Sequence, residues 1–331
     1  MSDSPPVTLL LVQLGTPDAP ETAAVRRYLA EFLADPRVVD LPRWKWLPIL
    51  HGLVLRRRPP RVAELYRRIW GADGVAPLLR HTRRLAEALQ SRLGPEVEVG
   101  FAMRYGNPSL TRRMAELAAT RERLVVFPLY PQFAASTTAS ILDVVYRALA
   151  RGRRQPALRV VPPFYDHPGY IQPLAATARR ATAADGAGEP DHWLFSFHGL
   201  PQRHVDLGDP YETHCRATAA ALAGALGLPE GRWSLAFQSR FGKEPWLLPA
   251  TYDVLEALPR RGVKSLAMLC PGFVADCLET LEEIGHGGRE RFLAAGGERF
   301  TLVPCLNDDP AWLDGAERLA RRELAGWMEG D

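Results

Sequence analysis

One histidine and three carboxylates, each placed after an apolar run, are the residues of this chain best suited to chemistry. His198 follows one such run, and Asp276, Glu279 and Glu283 follow another. An imidazole can accept a proton near neutral pH or bind a borderline transition metal, and a nearby carboxylate supports either role. The residue types therefore predict one shared acid–base or metal site at His198, Asp276 and Glu279, with Glu283 one further helical turn along.

Each of these residues also has a plain structural interpretation. A single histidine after a strand is more often a loop or packing residue than a catalyst. Asp276 could cap a helix with Glu279 as its capping-box partner, and spacing alone favours that interpretation. The functional interpretation gains weight because the ends of parallel strands line one crevice, so His198 and the carboxylates would face the same space.

Further segments after apolar runs combine aromatic rings with polar groups. They include Arg104 and Tyr105, Phe133 and Ser136, and Trp246. Such segments would give a ligand flat aromatic contact and a few polar anchors. Neither the dinucleotide fingerprint G-x-G-x-x-G nor the P-loop pattern occurs, so nucleotide-dependent functions lose their main support.

The elements that position these residues follow the pattern of a parallel α/β protein. Short aliphatic runs alternate with helical patterns, and parallel strands need long crossovers that are usually helical. Four strands on each side of the middle predict two similar α/β halves. The predicted strands are residues 7–13, 97–103, 123–128, 159–162, 193–197, 233–238, 265–270 and 300–303.

Prolines mark the expected boundary between the halves. The stretch at residues 162–168 contains three prolines, which discourage both helices and central strands. We predict one domain at residues 1–165 and a second at residues 166–310. A C-terminal helix within residues 311–331 is expected to pack back on the body.

Residues 41–60 differ in character from the rest of the first half. Trp44, Trp46 and several aliphatic residues precede a basic cluster at residues 56–58. Three interpretations stay open: a membrane-interface segment, a lip over a large apolar pocket, and a helix docked on its own domain with solvated arginines. The residues alone favour the docked helix.

Composition narrows the class of protein. The 331 residues are 47% hydrophobic, which suffices for two cores, and 41 basic against 38 acidic residues argue against a nucleic-acid partner. We expect no secretory leader, because residues 1–6 lead into a short strand-like segment without a basic leader or a longer apolar stretch, and every apolar run is too short to span a bilayer. We therefore predict a cytoplasmic protein.

The motifs taken together resemble the ferrochelatases of bacterial type, lyases that insert ferrous iron into a porphyrin in haem biosynthesis. Several motifs in the same order are far more specific than any one of them. The resemblance implies two Rossmann-like, chelatase-like domains with the porphyrin in a cleft between them. The matching segments are residues 14–17, 104–105, 128–138, 196–201, 238–242, 245–246 and 276–281.

The resemblance also implies roles for individual residues. His198 matches the active-site histidine, a metal ligand or acceptor of pyrrole protons, and Glu279 matches its partner carboxylate. The positions that match contacts with the macrocycle are Leu14, Arg104, Tyr105, Phe133, Ser136 and Trp246.

Two residues depart from the family pattern. Cys277 stands where animal members carry a histidine, and Gly287 stands where many members carry a further acidic residue. The resemblance implies a path for metal or protons along Asp276 and Glu283, and that path is in doubt beyond Glu283.

The expected reaction is insertion of Fe²⁺ into protoporphyrin IX to form protohaem, the terminal step of haem biosynthesis, with Fe²⁺ as substrate and no organic cofactor. No [2Fe–2S] cluster is expected, because the four cysteines form no C-terminal cluster. We predict a monomer with peripheral contact to the inner face of the membrane. Coproporphyrin III as substrate, a cobalt chelatase of the same fold and a non-catalytic porphyrin carrier remain alternatives.

Overall fold

Each half of the chain builds one four-stranded parallel sheet. The structure, a computed structural model, describes residues 7–184, 186, 188–240, 242 and 244–328. The first sheet has the order β2-β1-β3-β4 and the second the order β6-β5-β7-β8. The strands are β1 (Val7–Thr16), β2 (Val97–Gly106), β3 (Arg123–Pro128), β4 (Ala157–Val160), β5 (His192–His198), β6 (Trp233–Gln238), β7 (Ser265–Leu269) and β8 (Arg299–Leu302).

Helices connect the strands of both sheets, as crossovers between parallel strands require. Those before the second sheet are α1 (Thr22–Leu33), α2 (Arg43–Ile49), α3 (Leu55–Ile69), α4 (Pro77–Leu93), α5 (Leu110–Thr120), α6 (Ser140–Arg151) and α7 (Pro168–Ala184). Those that follow are α8 (Gln202–Asp206), α9 (Tyr211–Leu226), α10 (Thr251–Arg260), α11 (Arg289–Ala294) and α12 (Pro310–Leu324). Within the described residues, π-helical segments lie at Leu50–Val54, Ala135–Ala139 and Glu279–Gly288.

The central strands β1 and β5 are buried because helices cover both faces of each sheet. Leu9, Leu10 and Leu11 are fully buried, as are Leu194 and Phe195 in the second sheet. Burying such a side chain contributes roughly 1.5–3 kcal/mol. This burial explains why the strands read as continuous apolar runs rather than as alternating patterns.

The chain divides into two compact units. Residues 1–130, 134–162 and 316–331 form the first unit, and residues 131–133 and 163–315 form the second. The predicted boundary at residues 165 and 166 lies close to this division, but the short stretch 131–133 was expected in the first half. From Ala316 onward, α12 belongs to the first unit, where Glu317 forms an ion pair with Arg92 at 3.0 Å.

All eight predicted strands are present, and the prediction of two parallel α/β domains is confirmed. β1 and β2 run three residues beyond the predicted ends. Gly15 pairs with Tyr105 at a φ of +115°, and a side chain there would overlap the Tyr105 carbonyl oxygen. Only glycine allows the two backbones to continue side by side at this point.

The helix expected after β7 differs most from prediction. The segment Glu279–Gly288 is π-helical, and Leu278, not Asp276, precedes it, without a side-chain cap. Asp276 therefore does not cap this segment, and the capping interpretation that spacing alone favours is wrong. Most π-helices are single turns within α-helices, and they are frequent at functional sites. The segment Glu279–Gly288 is longer, with ten residues.

Candidate active site

His198 is the last residue of β5 and is half-buried. Its Nδ1 lies 2.7 Å from the carbonyl oxygen of Gly199. A carbonyl can only accept a hydrogen bond, so Nδ1 carries the proton and donates it. The lone pair of the neutral ring therefore lies on Nε2, where it can accept a proton or bind a metal ion.

The turn after His198 is shaped by two close contacts of Gly199. Its N–H donates to the carbonyl of Gln238 at 2.7 Å. A Cβ atom would lie 2.9 Å from that oxygen and 3.0 Å from the ring of Trp246. A side chain at position 199 would therefore push Trp246 away, and glycine allows the indole ring to pack directly beside the histidine turn.

Glu279 is held by a glutamine that sequence reasoning did not single out. Gln238 is buried and pairs in register with His198. Its Oε1 accepts hydrogen bonds from Ser196 at 2.7 Å and from the Cys270 thiol at 3.6 Å, so its Nε2 faces and donates to the Glu279 carbonyl at 3.3 Å. The amide thus connects the histidine strand to the start of the π-helical segment.

Glu283 lies four residues after Glu279, and Ser239, the residue after Gln238, holds its carboxylate. Ser239, at a φ of +64°, donates its backbone N–H at 2.8 Å and its hydroxyl at 2.5 Å to the two carboxylate oxygens. Burial raises the pKa of Glu283 and the charge of Glu279 adds to this, while the bonds from Ser239 and the charge of His198 oppose it. His198 and both carboxylates thus lie within one electrostatic neighbourhood.

The carboxylate of Asp276 is committed to structural hydrogen bonds. Its Oδ1 accepts from the Thr280 hydroxyl at 3.0 Å and from the Cys305 N–H at 3.3 Å, and its Oδ2 accepts from Asn307 at 2.7 Å. The backbone N–H of Asp276 also donates to the Asn307 side chain at 2.8 Å. This buried network favours a positioning function for Asp276 over direct contact with a metal.

Gly287 lies beside the Tyr252 hydroxyl, at the position where a further acidic residue would follow Glu279 and Glu283. A Cβ atom at this position would lie 3.1 Å from the Tyr252 hydroxyl, which donates to the Glu283 carbonyl at 3.1 Å. Arg291 lies over the Tyr252 ring, 4.2 Å from its centroid. Burial raises the pKa of Tyr252 to about 12, so the phenol is neutral at physiological pH.

In the first unit, Arg104 and Tyr105 belong to a buried cluster around Asp35. The Asp35 carboxylate accepts from the Arg104 guanidinium, from the Tyr105 hydroxyl at 2.8 Å and from Ser140 at 2.6 Å. Burial acts to raise the pKa of Asp35, but these bonds, the Arg37 N–H and the Arg104 charge lower it overall. Tyr105 is fully buried, so the structure gives it a positioning role here and exposes no face for a ligand.

The remaining predicted contact residues are half-buried: Leu14, Phe133, Ser136 and Trp246. Ser136 lies in the π-helical segment Ala135–Ala139. Phe241, part of a matching motif, lies outside the described residues. Among the described residues, no group of three or more His, Cys, Asp or Glu side chains converges to hold a metal ion.

The segment at residues 41–60 both docks and exposes apolar surface. Trp46 is buried, and its indole N–H donates to the Leu33 carbonyl at 2.6 Å. Trp44 is 75% exposed, and Leu41, Ile49 and Leu53 are each more than 45% exposed. No helix in the part of the chain that the structure describes is long and apolar enough to cross a membrane.

The sequence and fold match known proteins over nearly their whole length. The ferrochelatase family model matches residues 6–324. A ferrochelatase of Nitrosococcus oceani is 48% identical over 98% of this chain and 89% of its own, and one of Aromatoleum aromaticum is 50% identical over 97% and 88%.

A solved structure titled SirB from Bacillus subtilis with Fe³⁺ shares the fold, with a TM-score of 0.57, 11% identity and 96% coverage of both chains. The chelatase-like architecture expected from the motifs is therefore confirmed. With a family match of this extent, the chain belongs to the ferrochelatase family.

Proposed function

We propose that this enzyme inserts Fe²⁺ into protoporphyrin IX to form protohaem, with His198 accepting the protons of the pyrrole nitrogens and Glu279 as its partner carboxylate. The observation that carries this assignment is the hydrogen bond from Nδ1 to Gly199, which leaves Nε2 of His198 with a free lone pair. The family to which the chain belongs supports iron insertion as the reaction.

Two protons must leave the porphyrin for each metal ion that enters. The overall change is porphyrin plus Fe²⁺ giving haem plus two H⁺, without electron transfer. Nε2 of His198 accepts a proton as a pyrrole N–H bond breaks, and it releases that proton before the second transfer. Assistance of this kind typically contributes about 10²- to 10⁴-fold.

Glu279 stabilises positive charge near His198, whether that charge belongs to the incoming Fe²⁺ or to the imidazolium of protonated His198. Its backbone is held through Gln238, which limits how far the carboxylate can drift from the end of β5. Glu283, held at both oxygens by Ser239, is the next acceptor on the proposed path for metal or protons. We assign Asp276 to positioning, because both of its oxygens already accept hydrogen bonds.

Binding of a bent porphyrin would lower the barrier further. A planar ring admits a metal ion poorly, and strain of roughly 1–5 kcal/mol can be supplied by binding elsewhere on the ligand. The half-buried rings of Phe133 and Trp246 are suited to grip the macrocycle face. Leu14 and Ser136 are further residues proposed to contact the macrocycle.

The exposed residues of segment 41–60 support peripheral contact with an anionic membrane. Trp44, Ile49 and Leu53 offer apolar surface, and the exposed Lys45 lies 4.9 Å from the Trp44 ring centroid. Aromatic and basic residues together suit the headgroup region of a bilayer. Sedimentation with phosphatidylglycerol vesicles should fall in Trp44→Ser, and failure of the wild-type protein to sediment would contradict this contact.

The reaction itself is tested by anaerobic Fe²⁺ insertion into protoporphyrin IX and coproporphyrin III in parallel. Loss of free-porphyrin fluorescence reports turnover, with His198→Ala as the control variant. Faster turnover of protoporphyrin that disappears in the variant supports the proposal. Preference for coproporphyrin would change the substrate, and binding of both without turnover would favour a carrier.

A further inference from the structure

Residues 131–133, which include Phe133, belong to the second unit and are held within it by their own hydrogen bonds. Gln132 is buried, and its Nε2 donates to the Thr218 hydroxyl at 2.9 Å and to the Pro271 carbonyl at 3.0 Å. The next residue is held differently, because the backbone N–H of Phe133 donates to Nδ1 of His214 at 3.2 Å. A titratable side chain therefore holds the main chain of a residue proposed to contact the porphyrin.

The geometry defines the charge state of His214. Its Nδ1 accepts a hydrogen bond, so that nitrogen carries no proton and the ring is neutral with its proton on Nε2. The ring stacks on Tyr165 with centroids 3.9 Å apart and planes 14° apart. Stacking restrains the tilt of the imidazole, so the lone pair stays directed at the Phe133 N–H.

We propose that His214 is a positioning residue that orients Phe133 for contact with the porphyrin, and that protonation of His214 releases this residue. The proposal rests on the proposed function through the contact between Phe133 and the macrocycle. It deepens that function by adding a residue in α9 that does not itself touch the ligand.

The charged groups that interact with His214 are Asp166, just before α7, and Asp209, just before α9. Burial lowers the pKa of His214, and the two carboxylates act in the opposite direction without cancelling that effect. The bond to Phe133 is therefore intact at neutral pH. It is lost as the pH falls through a value below the ordinary 6.5 of histidine, since an imidazolium has no acceptor.

A matched pair of variants separates the hydrogen bond from the packing. His214→Asn places a non-titrating amide oxygen near the Nδ1 position, whereas His214→Leu keeps bulk and removes the acceptor. Binding of protoporphyrin IX without metal is measured by fluorescence from pH 7.5 to 5.5, together with hydrogen exchange of the Phe133 amide. Thermal unfolding of each variant checks that it is folded.

We expect His214→Leu to weaken porphyrin binding about 2- to 10-fold at pH 7.5, the effect of one hydrogen bond, and to speed exchange of the Phe133 amide. The wild-type affinity should fall towards pH 5.5, while that of His214→Asn stays flatter.

Wild-type affinity and amide protection in His214→Leu would overturn the proposal. If no form of the protein binds porphyrin but amide protection is still lost in His214→Leu, the proposed substrate fails and the anchoring of Phe133 stands.

Discussion

The two units share one strand order, yet they use equivalent strand ends in opposite ways. Each unit has a glycine at the end of its central strand, close to the backbone of the neighbouring strand. Gly15 of β1 lies against the Tyr105 carbonyl of β2, and Gly199, directly after β5, lies against the Gln238 carbonyl of β6. In the first unit the adjacent strand β2 carries Arg104 and Tyr105 just before its last residue, and both side chains donate hydrogen bonds to Asp35. The shared topology thus places equivalent strand ends in both units, and the side chains at those ends determine whether reactive groups stay available.

In the second unit the equivalent residues leave reactive groups available. Gln238 and Ser239 hold the backbone of Glu279 and the carboxylate of Glu283, while Nε2 of His198 makes no hydrogen bond among those described. Asp35 receives several donors and its pKa falls, whereas burial raises the pKa of Glu283. The first cluster therefore stabilises structure, and the second retains groups that can exchange protons or bind metal.

The largest expected effect is on turnover in His198→Ala. Loss of the proposed proton acceptor should reduce Fe²⁺ insertion by about 10²- to 10⁴-fold while porphyrin binding remains. Stopped-flow or fluorescence assays under anaerobic conditions measure both. His286→Ala, an exposed histidine of the π-helical segment, serves as the matched control and should keep normal turnover. Near wild-type rates in His198→Ala would contradict the proposal that the second unit supplies the reactive histidine.

Asp35→Ala should have the opposite effect to His198→Ala. It should lower the free energy of unfolding rather than act directly on turnover. Removing the carboxylate leaves the Arg104 guanidinium buried without its partner, which costs about 3–5 kcal/mol of unfolding free energy. Urea unfolding measures this change. Glu212→Ala, which breaks the more exposed pair with Arg216, should cost less than about 1 kcal/mol, and equal losses would argue against a structural cluster.

Gln238→Leu should affect both chemistry and stability, because this residue joins the two parts of the second site. Its loss releases the Glu279 carbonyl and leaves Ser196 without its partner amide oxygen, costing about 1–3 kcal/mol. We expect kcat/KM for Fe²⁺ to fall about tenfold. Gln202→Leu, at the exposed pair with Asp206, is the control, and an unchanged kcat/KM in Gln238→Leu would show that the amide is structural only.

The smallest effect concerns the other histidine of β5. His192 begins the strand that His198 ends, and burial lowers its pKa while its Nε2 lies 2.9 Å from the Ser234 hydroxyl. Because the unfolded chain binds the proton more readily, stability should rise with pH below about 7 and fall as the pH drops through 6.5. Urea midpoints at pH 7.5 and 5.5 should differ less in His192→Asn, and an identical pH slope would contradict this assignment.

The positions of the candidate residues in the fold could be predicted, because these residues directly follow apolar runs. His198 ends β5 as expected, and the eight strands could be recognised from local patterns of burial. Asp35 and His214 could not be predicted, since their partners lie 70 and 81 residues away in the chain. The π-helical form of Glu279–Gly288 was also missed, because its residues are compatible with an ordinary helix.

The sequence by itself determined the strand pattern, the parallel α/β class and the family, since each depends on residues close together or on motifs in order. Only the tertiary structure decided which polar residues are used up internally, as with Arg104 and Asp276, and which remain available, as with His198. The physical reason is that hydrophobic periodicity is a local property of the chain. Hydrogen-bond partnership depends instead on where distant segments meet after folding.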